Sequence, residues 1–339
     1  MLDLINFRKS SEWVSIIMPV RNAEPFLEEC LNSIIEQSHT EWELIAIDDH
    51  SDDNSLETLN QYALNDPRII VFGNEGRGII DALQLAQSHA TGKYITRMDA
   101  DDIMSLNKLE LMVEALEREN ELAIGLVKYI SEKELGNGYE KYEDWLNSLT
   151  IGASNFSEMY KECTIPSPCW MMYRTGFDRI GGFEGLIYPE DYDLSFRFFN
   201  SSLNLKPVIE VLHYWRDHPS RASRNDPNYL DNRFIALKVS KFLQINRIEK
   251  QDLVLWGAGA KGKAIAKLLI ASNIDFQWIT NNERKQGKTI YSKILKGDAD
   301  WKKFEYAQFI VAIAGAELDE LRSNINAEQS SGRTFYFFA

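Results

Sequence analysis

The sequence predicts an α/β protein in which a mostly parallel sheet is followed by a second, smaller α/β unit. Three observations predict it. Short apolar runs alternate with helix-periodic segments through the first third of the chain, the pattern of right-handed βαβ units. Three of these runs end in polar groups, Arg21-Asn22, Asp48-Asp49 and Asp99-x-Asp101. That places the groups on one rim, beyond the carboxyl ends of the strands, where open α/β sheets bind ligands. After a polar break at Asn246–Gln251 the pattern restarts as a strand, a glycine-rich turn and a helix.

Each element has a local cause. Val14–Val20 is a buried strand, short and rich in branched side chains, and Arg21–Glu24 is the loop after it. Pro25 opens a helix at the position proline tolerates best, with Phe26, Leu27, Cys30, Leu31, Ile34 and Ile35 at helical spacing. A second strand, Trp42–Ile47, runs into Asp48-Asp49-His50-Ser51, and Asp52, Asp53 or Asn54 caps the next helix. Arg68–Phe72 is a third strand, Gly73–Gly78 a flexible turn and Ile80–Ala90 a helix. The strand from Tyr94 then ends in Asp99, Asp101 and Asp102. Residues two apart in a strand share a face, so Asp99 and Asp101 point at one spot. Two carboxylates there suit Mg2+ or Mn2+, hard ions held by carboxylates together with substrate phosphates. The alternative is that Asp101 and Asp102 start the next helix, at the positive end of its dipole.

Further on, Ala123–Val127 is a strand, and Tyr139, Tyr142, Trp145 and Leu146 mark an amphipathic helix, its aromatics read as core ahead of any sugar-stacking role. Pro166–Met172 brings a strand to the cleft, and Pro189 opens a helix whose first turn carries Glu190 and Asp191. A carboxylate within reach of an acceptor hydroxyl, its pKa raised by partial burial, serves as a general base. The same two residues also suit the acidic first turn of a helix.

Composition bounds the partners. The chain has 339 residues, 44% apolar and 26% charged, as in globular proteins. A net charge of -14 argues against nucleic acid, since no basic stripe is present to release counterions. Cys30, Cys163 and Cys169 form neither a disulfide framework nor a metal-ligand spacing, which fits a reducing compartment. The N-terminus lacks the basic region and long apolar run of a signal peptide, and no apolar stretch is long enough to span a bilayer. The expected location is cytoplasmic; peripheral contact with the inner face of a membrane, and oligomerisation, stay open.

The three strand ends together carry a resemblance. Ile17-Met18-Pro19-Val20-Arg21-Asn22, Ile47-Asp48-Asp49-His50-Ser51 and Arg97-Met98-Asp99-Ala100-Asp101-Asp102 resemble a family 2 glycosyltransferase, over residues 12–245. The resemblance implies the GT-A fold, assigned to residues 1–248; the restart after the polar break is assigned separately to a small Rossmann-like domain over 249–339. It also implies an inverting, metal-dependent transfer of a sugar from a UDP-sugar to a glycan, lipid-linked glycan or glycoprotein. By the same resemblance Pro19, Arg21, Asn22 and Glu24 lie in the loop lining the nucleoside, and Asp49 accepts a hydrogen bond from the uracil ring. Asp99 and Ala100 lie against the ribose, and Asp101 holds Mn2+ or Mg2+ bridging the diphosphate. Arg77 and Arg97 are supplementary phosphate or sugar contacts. Asp191 is implied as the base and Glu190 as an acceptor contact. In His213-Tyr214-Trp215-Arg216-Asp217-His218, Arg216 and His218 are implied near the diphosphate, His218 on the metal, with a structural role for His218 as the alternative. His50 stands where many members carry glycine; it either narrows the space near the base or caps the turn, and the turn is favoured. A looser likeness to a β-1,3-N-acetylglucosaminyltransferase-like subgroup points to UDP-GlcNAc or another UDP-hexose.

The last part leaves alternatives open. Gly257-Ala258-Gly259-Ala260-Lys261-Gly262 between a strand and a helix has the context of a dinucleotide or phosphate turn. The following strand ends in Thr280-Asn281-Asn282, without the acidic residue that binds a ribose hydroxyl, so a packing or small-molecule role is favoured over NAD(P). The segment resembles small Rossmann-like domains of sugar-processing enzymes. An NAD(P)-linked sugar-nucleotide oxidoreductase and a non-catalytic sugar-nucleotide-binding protein are the competing readings.

Overall fold

The computed structural model describes residues 12–131, 135–185, 187–225, 234–315, 318, 321–323, 325 and 332–339. The chain forms two compact units. One runs through Ser157 and from Cys163 to Arg221; the other holds Glu158–Glu162 and the chain from Ala222 onward.

The first unit follows the expected alternation: β1 (Val14–Val20), α1 (Glu24–Ile35), β2 (Trp42–Asp48), α2 (Ser55–Asn65), β3 (Ile69–Gly73), α3 (Ile79–His89) and β4 (Tyr94–Arg97). It continues with β5 (Ile103–Met104), α4 (Lys108–Ala115), β6 (Glu121–Ile130), α5 (Asn137–Ile151), β7 (Trp170–Tyr173), α6 (Arg174–Arg179), α7 (Glu190–Asn200) and β8 (Asn204–Arg216). These strands form one sheet in the order β3-β2-β1-β4-β7-β6-β8-β5. The β3-β2-β1-β4 half is parallel, whereas β7 runs antiparallel to both β4 and β6. The parallel strands are mostly apolar because both faces are covered, and they also bury Ser15, Glu43 and Thr96. Ile16, Met18, Leu44 and Ala46 enter one core with Leu27, Cys30 and Leu31 of α1. Ile17, Ile45, Ile47 and Ile95 enter the other with Ala82, Leu83 and Ala86 of α3. β1 lies between β2 and β4, so the chain reverses its direction of travel across the sheet there, and the crevice opens at the ends of β1 and β4.

Two expectations are corrected. Asp101 and Asp102 do not start a helix: the chain first forms β5, paired antiparallel to β8, and α4 begins only at Lys108. Nor do Asp99 and Asp101 share a face through strand alternation, because β4 stops at Arg97 and both aspartates lie in the turn beyond it.

The second unit contains α8 (Ala222–Asn225), α9 (Phe234–Lys241), β9 (Asp252–Trp256), α10 (Ala260–Ala271), β10 (Gln277–Thr280), β11 (Thr289–Ile290), β12 (Lys293–Gly297), β13 (Ala307–Val311) and β14 (Thr334–Phe337). Its sheet order is β11-β12-β10-β9-β13-β14, parallel except for β11. The unit begins ahead of the polar break at 246–251. Buried Phe242 stacks edge-on against Tyr336 at 4.9 Å, which assigns the helix before the break to this core. Among the described residues, no helix is long and apolar enough to cross a membrane.

Candidate active site

The loops after β1 and β2 are tied to each other. Asn22, with a left-handed backbone (φ 51°), accepts the Asp52 amide N–H on Oδ1 at 2.9 Å and donates its own amide to Ser51. The Ala23 amide donates to Ser55 Oγ at 2.9 Å and the Glu24 amide to Asp53. Glu24 in turn accepts Asn54 Nδ2 at 2.6 Å. The side chains of Asn22 and Glu24 therefore build the rim of the crevice. Asp49, 4% exposed, accepts the Gly78 amide and Asn74 Nδ2 at 2.9 and 2.7 Å on Oδ1, fixing the turn between β3 and α3. Its Oδ2 takes the same amide at 3.0 Å and faces Arg21 at 3.8 Å. His50 Nε2–H donates to the Gly76 carbonyl of the same turn at 2.9 Å, and its φ of 58° is a conformation natural to glycine. It thereby tethers the loop after β2 to the turn between β3 and α3. Arg77 is exposed on that turn.

The acidic loop after β4 faces two directions. Asp99 turns to Arg97, whose Nε donates to Oδ1 at 2.8 Å. Arg97 is buried and reaches on with NH1 to Glu190 Oε1 at 2.9 Å, joining the ends of β4 and α7. Burial opposes the guanidinium charge, but Asp99, Glu190 and Asp191 outweigh it and hold Arg97 above its ordinary pKa. Asp101 turns instead to His218, Oδ2 to Nε2 at 2.9 Å, and its carbonyl accepts Arg216 Nε at 2.9 Å. The His218 ring packs on Phe26, 4.4 Å between centroids, and Nδ1 lies 2.9 Å from Ser220 Oγ. Burial raises Asp101, yet the His218 hydrogen bond and the charges of Arg221 and His218 bring it below the usual aspartate value.

Glu190 and Asp191 open α7 behind Pro189. Glu190 is buried against Arg97, which leaves its carboxylate facing protein. Asp191 is partly buried, and Oδ1 accepts the Tyr192 amide at 2.7 Å. Desolvation and the neighbouring Glu190 push its carboxyl up to about 7, against a smaller opposing effect of Arg97.

Residues 15–181 match the family described as glycosyl transferase family 2. The chain belongs to glycosyltransferase family 2. TuaG of Bacillus subtilis, by name a teichuronic acid biosynthesis glycosyltransferase, is 34% identical over 138 residues, 40% of this chain and 54% of TuaG. The chain thus spans about half the length of this relative. The crystal structure of S. aureus TarS 1-349 with UDP-GlcNAc is similar in fold, with a TM-score of 0.53 at 16% identity over 76% of this chain and 72% of that one. The mannosyltransferase PcManGT from Pyrobaculum calidifontis with GDP-Man and Mn2+ gives a TM-score of 0.50 at 19% identity over 76% and 69%. These likenesses agree with the GT-A fold of this family 2 glycosyltransferase.

The glycosyltransferase unit also contains site residues that the sequence did not single out. Asn74 bonds both Asp49 and the Gly78 carbonyl. Arg221 lies over the rings of Tyr129 and Trp215, 5.6 and 5.7 Å from their centroids. Burial opposes its charge, and Asp102, Tyr129, Asp101 and Asp99 together hold its pKa above the ordinary value. Its place beside the acidic loop arises from β8, whose length was not legible. In the second unit the glycine turn has a packing cause. A Cβ on Gly262 would lie 2.1 Å from the Gly257 carbonyl oxygen, and one on Gly257 (φ 117°) 2.7 Å from that of Ala312. Trp278 Nε1 donates to the Gly257 carbonyl and Lys285 Nζ to that of Ala258, so protein groups close the turn.

Proposed function

We propose that this protein is an inverting glycosyltransferase that moves a sugar from a UDP-sugar to a hydroxyl of a glycan, lipid-linked glycan or glycoprotein. The observation that carries the reading is Asp191, a carboxyl pushed up to about 7 and standing one Arg97–Glu190 bridge from Asp99. A base poised near neutral pH takes a hydroxyl proton effectively and is still ionised often enough to act. The acceptor oxygen attacks the anomeric carbon from the face opposite the diphosphate and its proton passes to Asp191. The bond to the diphosphate oxygen breaks, and its electron pair leaves with UDP.

Asp49 Oδ2 takes the uracil ring N–H beside Arg21, with Pro19, Asn22 and Glu24 shaping the rim, and Asp99 and Ala100 meet the ribose. Arg77 and Arg216 flank the phosphates. Arg97 orients Asp99 and Glu190 from within the protein, and Glu190 acts through that bridge. Asp101 and His218 offer a carboxylate oxygen and an imidazole nitrogen side by side, a donor set that fits Mn2+ or Mg2+ completed by phosphate oxygens. Among the described residues no group of three or more His, Cys, Asp or Glu is placed to hold a metal ion, and Asp101 and His218 are the two donors of this reading. The ion, when bound, supplies positive charge to the leaving diphosphate. UDP-GlcNAc in TarS favours a UDP-hexose donor, and the teichuronic acid role in the name of TuaG favours a glycan acceptor.

The test is a thermal-shift panel of nucleotides and UDP-sugars with and without Mn2+, because binding to the native state raises its melting temperature. Stabilisation by UDP or one UDP-sugar, lost in Asp101→Ala, supports the transferase. Stabilisation by NAD(P) alone, indifferent to metal, overturns it.

A further inference from the structure

Beneath the acidic loop runs a buried chain of ionisable groups that the proposed chemistry does not use. Lys108 on α4 and His213 on β8 are 0% exposed, and Asp102 is 2% exposed. Lys108 Nζ donates to the Pro168 carbonyl at 2.5 Å and lies 3.3 Å from His213 Nδ1. His213 Nε2 lies 2.9 Å from Asp102 Oδ2, and Asp102 Oδ1 accepts the Arg216 amide at 2.8 Å. An ammonium has only hydrogens to give, so Nδ1 accepts and Nε2–H donates to Asp102. The direction of the whole chain is thereby set.

Such a cluster is a weak source of stability, since an apolar core of the same volume does as well or better. Its end points elsewhere. Asp102 adjoins Asp101 and grips the backbone of Arg216, two residues before His218, while Arg216 Nε returns to the Asp101 carbonyl. The pairing of Ile103 with Tyr214 clamps the same two segments from the other side.

We propose that Lys108, His213 and Asp102 are positioning residues that set the spacing of Asp101 and His218, and through it the affinity of that pair for a divalent cation accompanied by a nucleoside diphosphate. The inference rests on reading Asp101 and His218 as cation ligands. Groups that orient metal ligands from behind change metal affinity by about 10–100-fold when lost.

The experiment follows free Mn2+ by electron paramagnetic resonance during titration with the full chain, with and without UDP. The wild-type protein takes up Mn2+ in the presence of UDP. Lys108→Met raises the half-saturating Mn2+ concentration by about tenfold, and Lys108→Arg restores most of it. Asp102→Asn, nearly the same shape, shifts it in the same direction and serves if Lys108→Met does not fold. Met112→Ala opens a cavity in the same helix and removes none of the hydrogen bonds of Lys108, His213 or Asp102; it lowers the melting temperature and leaves Mn2+ uptake unchanged. Wild-type uptake in Lys108→Met or Asp102→Asn overturns the proposal, as does an equal shift in Met112→Ala. If the wild-type protein takes up no Mn2+ with UDP, the reading of Asp101 and His218 falls first and takes the proposal with it.

Discussion

Replacing Arg97 by methionine keeps the bulk of the side chain and removes the charge that joins Asp99 to Glu190. The two partners respond differently. Asp99 is 25% exposed, so water screens the loss and that side contributes little. Glu190 is 6% exposed and loses its hydrogen-bonded counterion. Breaking a buried pair by removing one member costs about 3–5 kcal/mol, because a charge is left stranded. In a unit of this size about 2–4 °C of melting temperature is lost per kcal/mol, so Arg97→Met lowers it by about 6–20 °C. The double variant Arg97→Met/Glu190→Gln strands no charge and recovers most of the loss. Scanning calorimetry without ligand reads both, with the transition of the glycosyltransferase unit recognised by its shift on adding UDP. A single variant that melts with the wild type, or a double variant less stable than the single, refutes the reasoning. Arg97 also pulls Asp191 down, so its loss moves the acid limb of the transfer rate above about 7.

Transfer by the wild-type protein rises with pH and levels above about 7 as Asp191 ionises, and Asp191→Asn loses about 10²–10⁴-fold in rate while keeping UDP binding by calorimetry. The same carboxyl binds its proton more tightly folded than unfolded, where the value is about 3.9. Its contribution to stability is therefore complete below that value and lost as pH rises towards 7. Urea unfolding should accordingly find Asp191→Asn more stable than wild type above pH 7, with the gap closing towards the unfolded value. His218→Ala removes the Mn2+ dependence of UDP stabilisation in a thermal shift, and the unliganded melting temperature also falls because Asp101 loses its hydrogen bond and Phe26 its ring contact. In the second unit, Gly257→Ala costs about 1–3 kcal/mol by circular dichroism melts, because it is strained by φ and blocked by Ala312. Gly259→Ala meets nothing within 4 Å and stays within about 0.5 kcal/mol of wild type.

The parallel half of the sheet was legible because β1, β2 and β4 are covered on both faces and therefore read as short apolar runs. β8 was not. Asn204–Arg216 mixes Lys206, Pro207 and Glu210 with apolar residues, and several of its residues are exposed. β5 is two residues long, below any periodic signal, and it decides where Asp101 and Asp102 go. The polar groups themselves were legible at three strand ends, acidic at two of them. Their partners were not: Arg97 meets Glu190 across 93 positions, and Asp102 meets His213 across 111. Hydrogen bonds of that separation follow from tertiary packing, and nothing local in the sequence encodes them. The family resemblance offered roles for these residues, but it did not show that Arg97 and Glu190 pair with each other.

The interlock between the loops after β1 and β2 sets the entropy of what binds there. The amides of Asn22, Ala23, Glu24 and Asp52 are all engaged by side-chain oxygens before any nucleotide arrives. A ligand entering this cradle therefore orders little backbone, and its affinity is not diminished by the cost of shaping the site. Under the proposed reading of these loops as the nucleoside rim, a nucleobase would meet a surface already held in shape by these bonds, and a base of the wrong outline would have to break them to fit.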